Sequence, residues 1–110
     1  MSEINGALSG LKIVACSTAQ AGTVPYMLMA DLGAEVIKIE TPGKGDMNRK
    51  SGFLEGSTGS FFETNNRGVK SLTLNLKSLK GQKILHDLIK DADIFGQNFR
   101  PGVALSLIHI

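Results

Sequence analysis

The sequence predicts an α/β domain with a mainly parallel open sheet and flanking helices, on three observations. The stretch Leu11 to Glu40, LKIVACSTAQAGTVPYMLMADLGAEVIKIE, reads as strand, short loop, helix, tight turn and strand. The segment SLTLNL alternates and is followed by an amphipathic helix and a second apolar strand. The resulting order, β-α-β-loop-β-α-β, is the pattern of crossover connections between parallel strands.

Lys12 to Cys16 is a short apolar run of the kind a buried parallel strand shows. Thr18 to Thr23 is small and polar, a loop at the carboxyl edge of the sheet, where open α/β proteins hold their ligands. Val24, Met27, Leu28 and Leu32 recur at helical spacing, with Pro25 in the first turn and Gly33 in the C′ position. Glu35 to Ile39 is the second strand. Thr41 to Gly59 is rich in glycine and mixed charge and shows no period, so it reads as a long loop. Gly43 and Gly45 give half a phosphate-binding glycine pattern but open no helix, so neither glycine-rich phosphate motif is satisfied. Ser60 to Asn66 forms a short helical turn with Phe61 and Phe62 packed inward. Leu72, Leu74 and Leu76 share one face of an extended segment. Ser78 caps a helix whose apolar face is Ile84, Leu85, Leu88, Ile89 and Ala92. Ile94 to Gln97 is a further strand, and Asn98 to Gly102, NFRPG, turns away from its carboxyl end. Residues 103–110, VALSLIHI, form an apolar end without a cap, and so short a sheet leaves apolar faces uncovered. The expectation is an incomplete sheet at the front of a larger fold.

The chain has 110 residues, 42% hydrophobic and 20% charged, with a net charge of +2. That balance fits one globular domain. The lysines are scattered, which argues against nucleic acid. The N-terminus lacks the charged and apolar regions of a secretory signal, and no apolar run is long enough to span a bilayer, so the expected setting is cytoplasmic, without membrane contact. Cys16 is the single cysteine and sits in a predicted buried strand, where an inert thiol is expected. His86 and His109 have no ligand-like spacing to it, so no metal site is expected.

The residues that could carry chemistry converge at strand ends. Gln20 and Ala19 follow the first strand, Glu40 and Thr41 the second, and Asn98 and Phe99 the last. Gln20 and Asn98 offer amides, Phe99 a stacking face, and Lys77 a point charge for phosphate. The alternative for the same residues is structural: Gln20 as an exposed loop residue, Asn98 as a turn former and Phe99 as core.

The segments LSGLKIV, QAG, LMADLGAEVIKIETPGKGD, NNRGVKSLTLNLKS and KDADIFGQNFRPG, in this order and spacing, resemble the N-terminal region of class III CoA-transferases. That family includes formyl-CoA and carnitine CoA-transferases and the related α-methylacyl-CoA racemases. The resemblance covers about Leu8 to Val103. It implies a Rossmann-like CoA-binding domain at residues 1–102, with residues 103–110 a truncated or non-family tail. It also implies two interlocked chains in the intact enzyme, coenzyme A and acyl-CoA as substrate rather than tightly bound cofactor, and a small carboxylate as acceptor. An aspartate attacks the thioester and carries CoA as an aspartyl-CoA thioester.

Site roles carry over by position. Gln20 falls where an active-site glutamine lies beside the thioester, and Ala19 where the backbone contacts CoA. Leu74 and Lys77 match a segment along the CoA nucleotide, and Asn98 and Phe99 match the CoA-contacting pair of NFxPG. Thr41 occupies a CoA-phosphate position where many members have arginine. Val69 stands where lysine is common, and the basic residue that often follows NFxPG is absent. The nucleophilic aspartate lies beyond the chain. Other functions in view are an α-methylacyl-CoA racemase-type enzyme and a non-catalytic nucleotide-binding module.

Overall fold

The computed structural model describes residues 6–50 and 59–108. Four strands form one sheet, β1 (Lys12–Cys16), β2 (Glu35–Glu40), β3 (Lys70–Thr73) and β4 (Ile94–Gln97). Every pairing is parallel and the order is β3-β2-β1-β4. Helix α1 (Val24–Asp31) connects β1 to β2, and α2 (Ser60–Asn65) precedes β3. Helix α3 (Leu79–Lys90) then crosses to the far side of β1, and α4 (Val103–Ile108) follows β4.

The two faces of the sheet follow from strand alternation. Ile13 and Val36 pack with Tyr26, Met29 and Ala30 under α1. Val14, Cys16, Ile39 and Leu74 pack with Leu85, Leu88 and Ile89 under α3. Leu85 is fully buried and sits at the centre of the predicted apolar stripe. Ser78 caps α3, its Oγ accepting from the Gly81 N–H at 3.0 Å.

Several expectations shift. In α1 Tyr26, Met29 and Ala30 pack on the sheet and Met27 is buried as expected, whereas Leu28 and Leu32 are exposed. The segment VPYMLMAD is apolar at nearly every position, so spacing alone does not select a face. Gly33 does follow the helix at φ +104°, where a side chain would be strained. The long segment after β2 is not plain loop, because Met47–Lys50 forms a 3₁₀ turn fixed to the sheet. Residues 51–58 of that segment, and His109, lie outside the described residues. Phe62 packs inward as expected, but Phe61 is 55% exposed. The strand after α2 ends at Thr73, although the Leu74 N–H still bonds the Glu40 carbonyl at 3.0 Å. Residues Val103–Ile108 are helical, and His86 Nε2 on α3 lies 2.5 Å from the Leu107 carbonyl oxygen.

Gly96 of β4 lies directly under Tyr26. A Cβ there would stand 1.8 Å from the Tyr26 hydroxyl oxygen. Gly96→Ala is expected to destabilise the fold by about 1–3 kcal/mol, read as a fall in the urea midpoint.

Candidate functional site

The strand order places a topological switch point between β1 and β4, where connections leave to opposite faces and open a crevice at the carboxyl edge. The side chain of Asn98 closes this crevice. Its Oδ1 accepts from the Thr18 N–H at 3.1 Å, and its Nδ2 donates to the Thr18 carbonyl at 2.9 Å. The loop after β1 is folded back on itself within this clasp. Ser17 Oγ donates to the Gly22 carbonyl at 2.5 Å, and Thr23 Oγ1 donates to the Ala19 carbonyl. Gly22 is needed for close approach, since a Cβ would meet the Thr18 oxygen at 2.4 Å and Asn98 Nδ2 at 2.7 Å. Ala19 adopts φ +65°, a left-handed conformation that costs a non-glycine residue about 1–3 kcal/mol. The loop is thus held in one shape before any ligand arrives. Burial pushes the Cys16 thiol up to about 12, which removes it as a nucleophile.

Three clefts open along this edge. Thr41, Pro42, Leu76, Lys77, Phe99 and Leu107 line the largest, about 500 Å³, with mainly apolar walls. Lys77 gives it a cation without an acidic partner among the described residues. Thr41 also borders a polar cleft of about 250 Å³ with Lys44, Ser71 and Thr73. Ala19 and Gln20 line a third, about 270 Å³, together with Asn48, Phe61 and Asn65. A further cleft, lined by Lys12, Glu35 and Asp91, lies at the amino edge, away from the switch point.

Thr41, Lys77 and Phe99 therefore meet in one cleft, and Ala19 and Gln20 in another. Leu74 is buried and contributes, with Phe99 and Thr18, to a small recess of about 70 Å³ between the strand ends. The Asn98 amide bonds Thr18 through one Nδ2 N–H and one Oδ1 lone pair, which leaves its second N–H and second lone pair open to a ligand.

Sequence reasoning missed the group that holds the loop after β2. Lys38 and Glu40 point to the α1 side of the sheet beyond the helix, and both are buried, 3% and 4% exposed. Lys38 Nζ pairs with the buried Asp46 and donates to Asn66 Oδ1 at 2.9 Å. Glu40 takes a bidentate contact from Arg49, Nε at 2.7 Å and Nη2 at 2.6 Å, plus the Asp46 N–H at 2.8 Å and the Ser71 hydroxyl. The Arg49 guanidinium stacks 3.9 Å from the Phe62 ring centroid. Burial alone would raise the Glu40 carboxyl, but the Arg49, Ser71 and backbone hydrogen bonds outweigh it and bring it down to about 2. The signal was present: Lys38 and Glu40, charges at alternate positions flanking apolar residues in a predicted strand, need partners where the strand is buried. Among the described residues no cluster could hold a metal ion, and no helix is long and apolar enough to cross a membrane.

The sequence matches the model of CoA-transferase family III over residues 8–108. The chain belongs to CoA-transferase family III. It is also similar to individual proteins with related names. An "Acyl-CoA transferase" of Fusarium pseudograminearum is 41% identical over 110 residues, covering 92% of this chain and 24% of that protein. The "Succinyl-CoA:glutarate CoA-transferase" of Homo sapiens is 41% identical over 97 residues, covering 86% and 22%. A crystal structure of a CAIB/BAIF family protein from Brucella suis superposes with a TM-score of 0.85 at 33% identity, covering 96% of this chain and 29% of that one. The chain spans about a quarter of the length of these curated relatives. The expected α/β fold and the expected family both hold.

Proposed function

We propose that this chain supplies the CoA-binding edge of an acyl-CoA:carboxylate CoA-transferase. The observation that carries this is the clasped loop at the switch point beside a cleft lined by Thr41, Lys77 and Phe99. An open parallel sheet binds its ligand at that place. The nucleotide end of CoA would lie in the cleft of about 500 Å³, with Lys77 as a point charge for phosphate and the Phe99 ring as an apolar wall. Thr41, at its rim, offers a hydroxyl where an arginine would give a second charge.

The thioester end would reach the Ala19–Gln20 loop. There the Gln20 amide N–H would donate to the oxygen that becomes negative when a nucleophile adds to the carbonyl. The nucleophile in this reading is an aspartate outside the chain. It would expel CoA thiolate while forming an acyl anhydride, and the thiolate would then return to give an aspartyl-CoA thioester and free acid. The acceptor carboxylate would take up CoA by the reverse sequence. CoA is a substrate here, not a resident cofactor. The whole enzyme is proposed to be an interlocked homodimer acting in the cytoplasm.

Titration of the full-length protein with CoA tests the nucleotide part of this reading. Measurable affinity is expected, and Lys77→Ala should weaken it by about tenfold, the loss of one charge-assisted hydrogen bond. Equal affinity in the two proteins would remove Lys77 from the site.

A further inference from the structure

Lys77 meets the cleft of about 500 Å³ from the short connection between β3 and α3. Side chains set the shape of that connection. Upstream, the Leu74 N–H bonds the Glu40 carbonyl at 3.0 Å and ties the chain to β2. Downstream, Ser78 Oγ donates to the Asn75 carbonyl at 2.9 Å and accepts from the Gly81 N–H at 3.0 Å. Gly81 lets the first turn of α3 press on the connection, since a Cβ there would stand 2.0 Å from the Asn75 carbonyl oxygen. Between these anchors lies the peptide that joins Leu76 to Lys77. Its N–H donates to Asn75 Oδ1 at 3.1 Å. Its carbonyl accepts from Gln82 Nε2 at 2.9 Å, a contact that reaches six residues back along the chain.

The start of α3 does not need the Gln82 contact, because Ser78 already caps the helix. Among the described residues Asn75, Leu76 and Lys77 line the cleft and the half-buried Gln82 does not. Any effect of Gln82 on a ligand there therefore passes through the peptide it holds. A peptide is planar, so turning it changes ψ of Leu76 and φ of Lys77 together. The φ of Lys77 sets the direction in which its Cβ leaves the backbone. With both polar groups of the peptide bonded, that direction is fixed before a ligand arrives. On the reading above, in which Lys77 meets a CoA phosphate, we propose that Gln82 is a positioning residue for the nucleotide. It locks the Leu76–Lys77 peptide and so aims the Lys77 ammonium into the cleft. Binding then has only the Lys77 side chain left to order, which lowers its cost. Without Gln82 the peptide is held at its N–H alone and can turn about that bond.

The test is a double-mutant cycle read by equilibrium titration of the full-length protein with CoA. Gln82→Met keeps the length and helix propensity of the side chain and removes the donor. It is expected to weaken CoA by about fivefold when Lys77 is present, the loss of one neutral hydrogen bond. In the Lys77→Ala background the same substitution should change the affinity by less than about 1.5-fold, because the ammonium it aims is gone. A role in stability alone would move both backgrounds alike. An equal loss in the two backgrounds, or no loss in either, would overturn this inference and leave the site reading standing. Wild-type affinity in Lys77→Ala would remove Lys77 from the site and this inference with it.

Discussion

Asp46→Ala is expected to lower the stability of the fold by about 3–5 kcal/mol, measured by urea unfolding. The substitution leaves Lys38 buried without a carboxylate partner among the described residues, with the Asn66 amide and the Phe62 ring, 5.2 Å from Nζ, as its remaining contacts. It also removes the carboxylate that accepts the Asn48 N–H at 2.9 Å at the start of the 3₁₀ turn. Lys38→Met combined with Asp46→Leu should recover most of the loss, because an apolar pair needs no compensation in the same space. If the single variant matched the wild type, the buried pair would not fix this loop. The neighbouring carboxylate adds a pH dependence. The folded value for Glu40, about 2, lies below its ordinary 4.5, so its ionised form favours the folded state. That contribution is full above about pH 4.5 and is lost as the pH falls towards about 2. Glu40→Gln should therefore flatten the decline in unfolding midpoint across that window.

Asn98→Leu is expected to reduce kcat/KM for CoA transfer by the full-length protein by about 100-fold. The amide makes both hydrogen bonds to Thr18, and those bonds set the loop carrying Ala19 and Gln20. A displacement of the loop by about an ångström would misalign Gln20 with the developing oxyanion. The exposed amide should matter less to the fold, about 1 kcal/mol, so activity and stability part company. Gly22→Ala probes the same clasp from the other side, because its Cβ would enter the space held by the Thr18 oxygen and Asn98 Nδ2. Full activity in both variants would show that the clasp does not position the loop.

The parallel sheet was readable because its signals are local. KIVAC is a bare apolar run, Ser78 is a helix cap, and the stripe centred on Leu85 has a helical period. The switch point was readable in part, since strand ends can be counted along the chain. What the sequence did not reveal depends on contacts across it. The clasp joins Thr18 to Asn98, 80 residues apart, and no periodicity encodes that pair. The Lys38–Asp46 and Glu40–Arg49 pairs turn a stretch that looks like glycine-rich loop into a fixed wall, because buried charge orders backbone that propensity leaves open. Phe61 and Phe62 are adjacent and chemically alike. Phe62 packs against the buried charges, under Arg49 and beside Lys38, whereas Phe61 is 55% exposed.

The most direct measurement of the central claim is a single incubation of the full-length protein in D₂O with an acyl-CoA and a different free carboxylate, analysed by mass spectrometry. The account predicts a new CoA thioester of the added carboxylate, release of the donor acid, and no deuterium at the α-carbon of the donor. Deuterium at that α-carbon without any new thioester would contradict it.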